Sequence, residues 1–196
     1  MSHYFINDPD LVSNKKQIEY HFNNELFHFV TDNGVFSKKE VDRGSNALVS
    51  TVYNLALGKN ILDLGCGYGI IGIVIKKNNI GSDVDLVDIN DRAIELAKIN
   101  ADLNKTEVSI FNTGDITSLN KKYDSILLNP PIRAGKKVIY SLYKSSYDVL
   151  NKGGKLFIVI QKKHGSESSV KQLQTLFSEV KIISRKSGYQ IIESIK

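Results

Sequence analysis

From Asn60 to Ile160 the chain alternates short apolar runs with stretches of helical spacing. Ile61-Leu-Asp-Leu64 reads as a strand that runs into glycines, and Ile70 to Lys77 reads as a helix. Val84 to Asp88 reads as the next strand. Asn90 to Leu103 follows as a helix, with Ala93, Leu96, Ala97 and Asn100 on one face. Val108 to Phe111 and Tyr123 to Leu128 predict two more strands, and Lys137 to Leu150 a helix. Asn151-Lys-Gly-Gly154 predicts the end of that helix, because glycine takes left-handed backbone at little cost. Lys155 to Ile160 reads as a strand and Ser168 to Phe177 as a helix. Val180 to Ser184 and Tyr189 to Ile195 predict a hairpin around Lys186-Ser-Gly188. The alternation predicts an α/β fold of Rossmann-like form: seven strands, mostly parallel, with helices on both faces and an antiparallel C-terminal hairpin. Such sheets bind ligands beyond the carboxyl ends of their strands, so the residues just after each strand carry the chemistry.

A different pattern precedes it. Gln17 to Phe22 alternates Ile18, Tyr20 and Phe22 on one face, Asn23-Asn24-Glu25 offers a turn, and Leu26 to Thr31 can return as a second strand. Asp32 to Ser37 reads as a loop and Lys38 to Gly44 is polar. Ser45 is placed to N-cap a helix reaching Leu55, with Ala47, Leu48, Thr51, Val52 and Leu55 on one face. The chain therefore divides into an N-terminal β extension with a substrate-side loop, residues 1–43, and an α/β domain, residues 44–196.

Composition removes several classes. With 41% hydrophobic and 24% charged residues the chain is too apolar for disorder, and no uncharged run is long enough for a membrane helix. Met1 to Asp10 lacks a basic-then-apolar leader pattern, so a cytoplasmic protein is expected. Cys66 is the one cysteine, and His3, His21, His28 and His164 show no ligand spacing, so no metal is expected. The formal charge is +5, from 26 basic and 21 acidic residues. Only Arg43, Arg92, Arg133 and Arg185 are arginines, so the balance suits a polyanionic partner and a plain lysine-rich surface alike.

Four strand ends stand out. Asp63-Leu-Gly65-Cys-Gly67-Tyr-Gly69, with Gly72 beyond, lets backbone approach a ligand closely and turn directly into a helix. Gly67-x-Gly69-x-x-Gly72 also fits a dinucleotide fingerprint. Asp88 ends the next strand, where a carboxylate can accept from both ribose hydroxyls of an adenosine; nicotinamide cofactors and S-adenosylmethionine fit equally. Asp115, in Thr113-Gly-Asp115-Ile116, is placed either for an adenine amino group or as a turn residue. The fourth strand runs into Asn129-Pro130-Pro131-Ile132. The prolines fix the backbone and remove donors, and the Asn oxygen is a further acceptor. Two acceptors there can hold the hydrogens of an amino group and leave its lone pair aimed at an electrophile.

At these residues the chain resembles the class I S-adenosylmethionine-dependent methyltransferases. Asp63 to Gly69 is similar to their glycine-rich motif, Asp88 with Ile89 to their ribose-binding position, and Asp115-Ile116 to their adenine-contacting loop. Asn129-Pro130-Pro131 resembles the motif of enzymes that methylate amino or amide nitrogens. Gly34-Val-Phe-Ser37, Asp42-Arg-Gly-Ser45 and Asn-Pro-Pro-Ile-Arg-Ala-Gly135 narrow the resemblance to the methyltransferase-small family. It implies S-adenosyl-L-methionine as cofactor, ribosomal RNA or a small-subunit particle as partner, and guanine N2 of 16S ribosomal RNA as target. Protein glutamine or adenine N6 are the alternatives on the same motif. A nicotinamide oxidoreductase and a non-catalytic RNA-binding module are the rivals outside it. The family usually has Phe or Tyr where Ile132 stands, and Phe36 is the substitute ring that the sequence offers. Arg133, Lys136 and Lys137 border the expected substrate mouth and are candidates for phosphate binding, with Lys15-Lys16 and Lys38-Lys39 as possible extensions of that patch.

Overall fold

The computed structural model describes residues 12–35, 37, 40–79 and 81–196. Its strands are β1 (Lys16–Phe22), β2 (Glu25–Thr31), β3 (Asn60–Leu64), β4 (Asp83–Asp88), β5 (Ser109–Asn112), β6 (Tyr123–Leu128), β7 (Leu150–Gln161), β8 (Glu179–Lys186) and β9 (Tyr189–Ile195). The helices are α1 (Arg43–Val52), α2 (Ile70–Asn78), α3 (Asp91–Leu103), α4 (Lys136–Val149) and α5 (Ser166–Gln174). β3 to β9 form one sheet in the order β5-β4-β3-β6-β7-β9-β8. All pairs are parallel except those of β9, which runs antiparallel to both neighbours.

The chain winds from β3 outward to β5, then returns to the other side of β3 with β6. That reversal opens a crevice between the carboxyl ends of β3 and β6. Both sheet faces are buried, which is why these strands read as continuous apolar runs. Leu127, Phe157 and Val159 pack with Leu48 of α1, Ile73 of α2 and Leu96 of α3 on one face. Ile126, Leu128 and Ile158 pack with Tyr143 of α4 and Leu173 of α5 on the other.

The N-terminal strands form their own two-stranded sheet around Asn23 and Asn24, which have φ of 48° and 63°. Two positive φ values make the turn whose twist suits a hairpin, and asparagine tolerates them. Ile18, Tyr20, Phe27 and Phe29 join the apolar cluster of α1–α3. The edge of β2 is closed by side chains: Asn100 exchanges hydrogen bonds with both backbone groups of Val30 (2.6 and 3.0 Å). One turn later Asn104 does the same with His28 (3.1 and 2.7 Å). Two amides at helical spacing thus do for β2 what a neighbouring strand would do.

Three helices end or begin elsewhere than expected. α1 begins at Arg43 with Asp42 as N-cap, its carboxylate accepting from Ser45 N at 2.9 Å, and the helix stops at Val52, leaving Leu55 exposed beyond it. α4 stops at Val149, and Asn151 to Gly154 already belong to β7. Gly154 serves close strand packing rather than a helix end: a Cβ there would lie 2.9 Å from the Asn151 carbonyl and 3.1 Å from that of Tyr123. α5 starts at Ser166, after Gly165 in left-handed backbone.

Candidate active site

The glycine loop joins β3 to α2 at the crevice, and its glycines have separate reasons to be there. Gly65 (φ +70°) and Gly67 (φ +57°) would each point a Cβ into open space. Gly72 faces the sheet, where a Cβ would lie 2.5 Å from Leu86 Cδ1. So the first pair keeps a concave backbone surface clear, and Gly72 lets α2 lie close on β4. Gly69 turns the chain, N-capping α2 at φ +92°.

Asp88 ties the loop to β4. Its Oδ2 accepts from Gly67 N at 2.8 Å and its Oδ1 from Asn90 N at 3.0 Å. The Ile89 N–H bears on the same carboxylate, which still has lone pairs beyond these backbone bonds. Burial pushes this carboxyl above the usual carboxylate range, against the pull of its backbone hydrogen bonds. The helix cap beside it is Asn90, which accepts from Arg92 N and Ala93 N, so Asp88 is not spent on capping. Ile89, the next residue, is 49% exposed. A Cβ on Gly114 would lie 3.3 Å from Ile89 Cγ2, so the loop after β5 meets that apolar side chain.

Asp63 lies fully buried beneath the loop. Its Oδ2 accepts from Gly72 N at 2.7 Å, while Oδ1 has no hydrogen-bond partner among the described residues. Burial pushes this carboxyl up to about 7, helped by the nearby Asp88. Cys66 is buried in the turn, and burial holds its thiol well above the ordinary value, so it is not a nucleophile at neutral pH. Asp115 N-caps a 3-10 turn over Ile116–Leu119, accepting from Thr117 N and Thr117 Oγ1. Those bonds hold its carboxyl below the usual range. Ile116 is buried in the α4 cluster.

Asn129 follows β6, on the crevice's other wall. Its Nδ2 donates to Ser45 Oγ at 3.0 Å and to Asp42 Oδ1 at 3.2 Å. A carboxylate only accepts, so the atom facing Asp42 must be the amide nitrogen. Oδ1 is thereby turned away from α1, and no hydrogen bond among the described residues uses it or the Pro130 carbonyl. The Pro131 carbonyl is occupied by Ala134 N at 2.9 Å. The arrangement presents two free acceptors on successive residues beside an open backbone cradle.

The structure brings Asp63, Gly65, Gly67, Asp88, Ile89 and Asn129 to the two walls of one crevice. Arg133, Lys136 and Lys137 are exposed after it, while Ile132 packs partly into the α4 cluster. Phe36 and Lys38-Lys39 lie outside the described residues. Asp42 and Ser45 were visible in sequence only as members of a motif, with Ser45 expected as a cap; their grip on Asn129 is tertiary. Among the described residues no group of three His, Cys, Asp or Glu side chains could hold a metal, and no helix is long and apolar enough to cross a membrane.

A family model described as the methyltransferase small domain matches residues 26–193. Protein YbxB of Bacillus subtilis (strain 168) is 41% identical over 99% of this chain and 98% of its own length. The ribosomal RNA small subunit methyltransferase C of Psychromonas ingrahamii is 32% identical over 92% of this chain, which spans 52% of that protein. The same share holds for a structural neighbour, the T. thermophilus 16S rRNA N2 G1207 methyltransferase in complex with AdoMet and guanosine. It has a TM-score of 0.83 at 20% identity over 96% of this chain. This chain thus spans about half the length of these two proteins.

Proposed function

Because the chain belongs to the methyltransferase small domain family, we propose that it transfers the methyl group of S-adenosylmethionine to guanine N2 in 16S ribosomal RNA. The observation that carries the reading is the Asn129 amide, held by Asp42 and Ser45 so that its oxygen is free at the crevice. Relatives named as small-subunit ribosomal RNA methyltransferases support the RNA, and the neighbour solved with guanosine supports the base.

The crevice fits the cofactor. The cleared backbone at Gly65 and Gly67 admits it, Asp88 has lone pairs left for the ribose hydroxyls, and Ile89 offers an apolar face for the adenine. The orphaned Asp63 Oδ1 is an acceptor for its amino group. Asp115 lies at the same strand-end rim and would serve the adenine edge.

When bound, S-adenosylmethionine supplies an electrophilic methyl on a sulfonium. Asn129 Oδ1 and the Pro130 carbonyl accept from the two hydrogens of the target amino group. The pair turns the nitrogen lone pair toward the methyl, and both hydrogen bonds strengthen as the nitrogen becomes positive; N–CH3 would form as S–CH3 breaks, with S-adenosylhomocysteine leaving and the surplus N–H proton passing to solvent. Alignment supplies most of the rate, and no covalent intermediate on the enzyme is required. A paired base has to be presented unpaired or extruded first.

The test is methyl transfer from labelled cofactor to 16S RNA, followed by mass spectrometry of the nucleosides. N2-methylguanosine is expected, and inosine at the target position, which lacks the 2-amino group, should not react. Label in adenine, or in protein glutamine with RNA ignored, would overturn the substrate and leave the methyl transfer standing.

A further inference from the structure

The reaction above uses nothing on the far side of Asn129 from the glycine loop. Sheet order puts β7 and β9 there, beyond β6 and away from β3 and β4. Displacement at a methyl carbon is in line, so the nucleophile arrives opposite the sulfur. With the donor over β3 and β4, the acceptor comes from the β7–β9 side.

The side chains on that side suit a base and its phosphates. Gln161 ends β7 and is in register with Tyr189, the first residue of β9. Strand alternation puts both on the sheet face of Asn129. Gln161 Oε1 is buried with no hydrogen-bond partner among the described residues. Tyr189 is half-buried, and its ring lies against Gly44: a Cβ there would be 3.1 Å from Tyr189 Cε1 and 3.5 Å from Asn129 Nδ2. Only the slimness of glycine separates ring from amide. Ile132, by contrast, is packed into the opposite cluster.

Around Tyr189 stand four exposed cations. Lys162 and Lys163 form a 3-10 turn after β7, fixed to the hairpin by Lys162 N donating to the Gly188 carbonyl at 3.0 Å. Arg185 and Lys186 end β8. None of the four is in an ion pair among the described residues. Lys121, Lys155 and Lys181, toward the other end of the sheet, are paired with Asp85, Glu193 and Glu179. A flat ring, an unpartnered acceptor and unpaired cations match a flexible polyanion that carries bases.

We propose that this rim docks a single-stranded segment of the RNA substrate: the Tyr189 ring takes the face of the target base, Gln161 Oε1 accepts one of its N–H groups, and Lys162, Lys163, Arg185 and Lys186 hold the flanking phosphates. It rests on the RNA reading of the substrate.

The experiment measures binding of a fluorescein-labelled single-stranded 16S RNA fragment across salt concentrations, with the whole chain. Replacing Lys162, Lys163, Arg185 and Lys186 by Ala should weaken binding about tenfold or more and flatten the log–log salt slope by about 3, at ~0.7 per phosphate contact. A matched variant at the opposite end, Lys59, Lys98, Lys122 and Lys152 to Ala, should keep the wild-type slope. Tyr189→Ala should raise KM for RNA about tenfold, with Tyr189→Phe recovering most of the loss. Gln161→Leu should raise it severalfold. S-adenosylhomocysteine affinity should hold throughout, which separates lost docking from lost folding. An unchanged slope in the rim variant, or equal loss in both quadruple variants, overturns the surface alone. Failure of the wild type to bind RNA overturns the surface and the RNA reading together.

Discussion

Asp42 Oδ1 and Asn129 Nδ2 lie 3.2 Å apart, and 87 positions of chain separate the two residues. The same carboxylate oxygen accepts from Ser45 N, so one side chain both starts α1 and sets which way the Asn129 amide faces. Loss of the free Oδ1 in Asn129→Ala should lower kcat roughly a hundredfold, as when a transition-state hydrogen bond is removed. Asp42→Ala leaves the amide present but free to flip, and should lower kcat about tenfold. It should also cost about 1 kcal/mol of stability through the lost cap. In both variants calorimetry should find S-adenosylhomocysteine affinity nearly intact. Normal turnover in Asn129→Ala would reduce that residue to a turn former.

Asp88→Ala should act on binding instead. It removes the ribose acceptors and also releases Gly67 N, to which Asp88 Oδ2 is bonded at 2.8 Å. Losing charge-assisted hydrogen bonds worth about 2–3 kcal/mol weakens S-adenosylhomocysteine by roughly 30- to 150-fold. Unchanged affinity by calorimetry would remove the ribose assignment.

Two glycine substitutions should separate stability from cofactor affinity. Gly72→Ala drives a methyl to 2.5 Å from Leu86 Cδ1, so thermal unfolding should show a loss of about 1–3 kcal/mol from overpacking. Gly67→Ala meets nothing within 4 Å and pays only about 1–2 kcal/mol for its left-handed backbone. Its larger effect should be on cofactor affinity, because the methyl enters the cleared space. Equal cofactor affinity in Gly67→Ala and the wild type would place the ligand elsewhere.

Asp63 gives the site a pH signature. Its carboxyl is raised to about 7 in the folded chain, so the native state keeps a proton that the unfolded chain releases near the ordinary value of about 4. The stability it contributes is full below that ordinary value, falls as pH rises toward 7, and then levels off. A cationic amino group at Oδ1 needs the ionised form. Cofactor affinity should therefore rise with pH to about 7, by up to about tenfold per unit, and level off above it. Calorimetry near pH 6 in buffers of different ionisation enthalpy should show proton release on binding. Identical heats and a flat affinity profile would take Asp63 out of the cofactor site.

The strand-end motifs were legible because each is a local pattern: the Asp63–Gly72 loop, Asp88 and Asn129-Pro-Pro131 each lie within a few residues of one strand end. The α/β alternation from Asn60 was legible for the same reason, since period and punctuation are local. What sequence did not show is tertiary. Ser45 reads as a helix cap, yet the fold gives that task to Asp42 and turns the Ser45 hydroxyl to Asn129. Gly154 reads as a helix stop, yet it serves a close backbone approach to Tyr123. Tyr189 reads as an ordinary strand residue, and only the placing of β9 beside β7 brings its ring near Asn129.

Asn100 has a consequence for where the fold can be divided. Its amide bonds both backbone groups of Val30 in the N-terminal hairpin and also the Tyr68 carbonyl in the glycine loop, at 2.8 Å. Phe29 meets the Tyr68 ring edge-on, with centroids 5.8 Å apart. Cutting the chain ahead of α1 would strand the buried amide of Asn100 and uncover the apolar floor under the cofactor loop. The hairpin and the large sheet should therefore unfold together, in one thermal transition, and a chain that starts at Arg43 should be less stable than the whole.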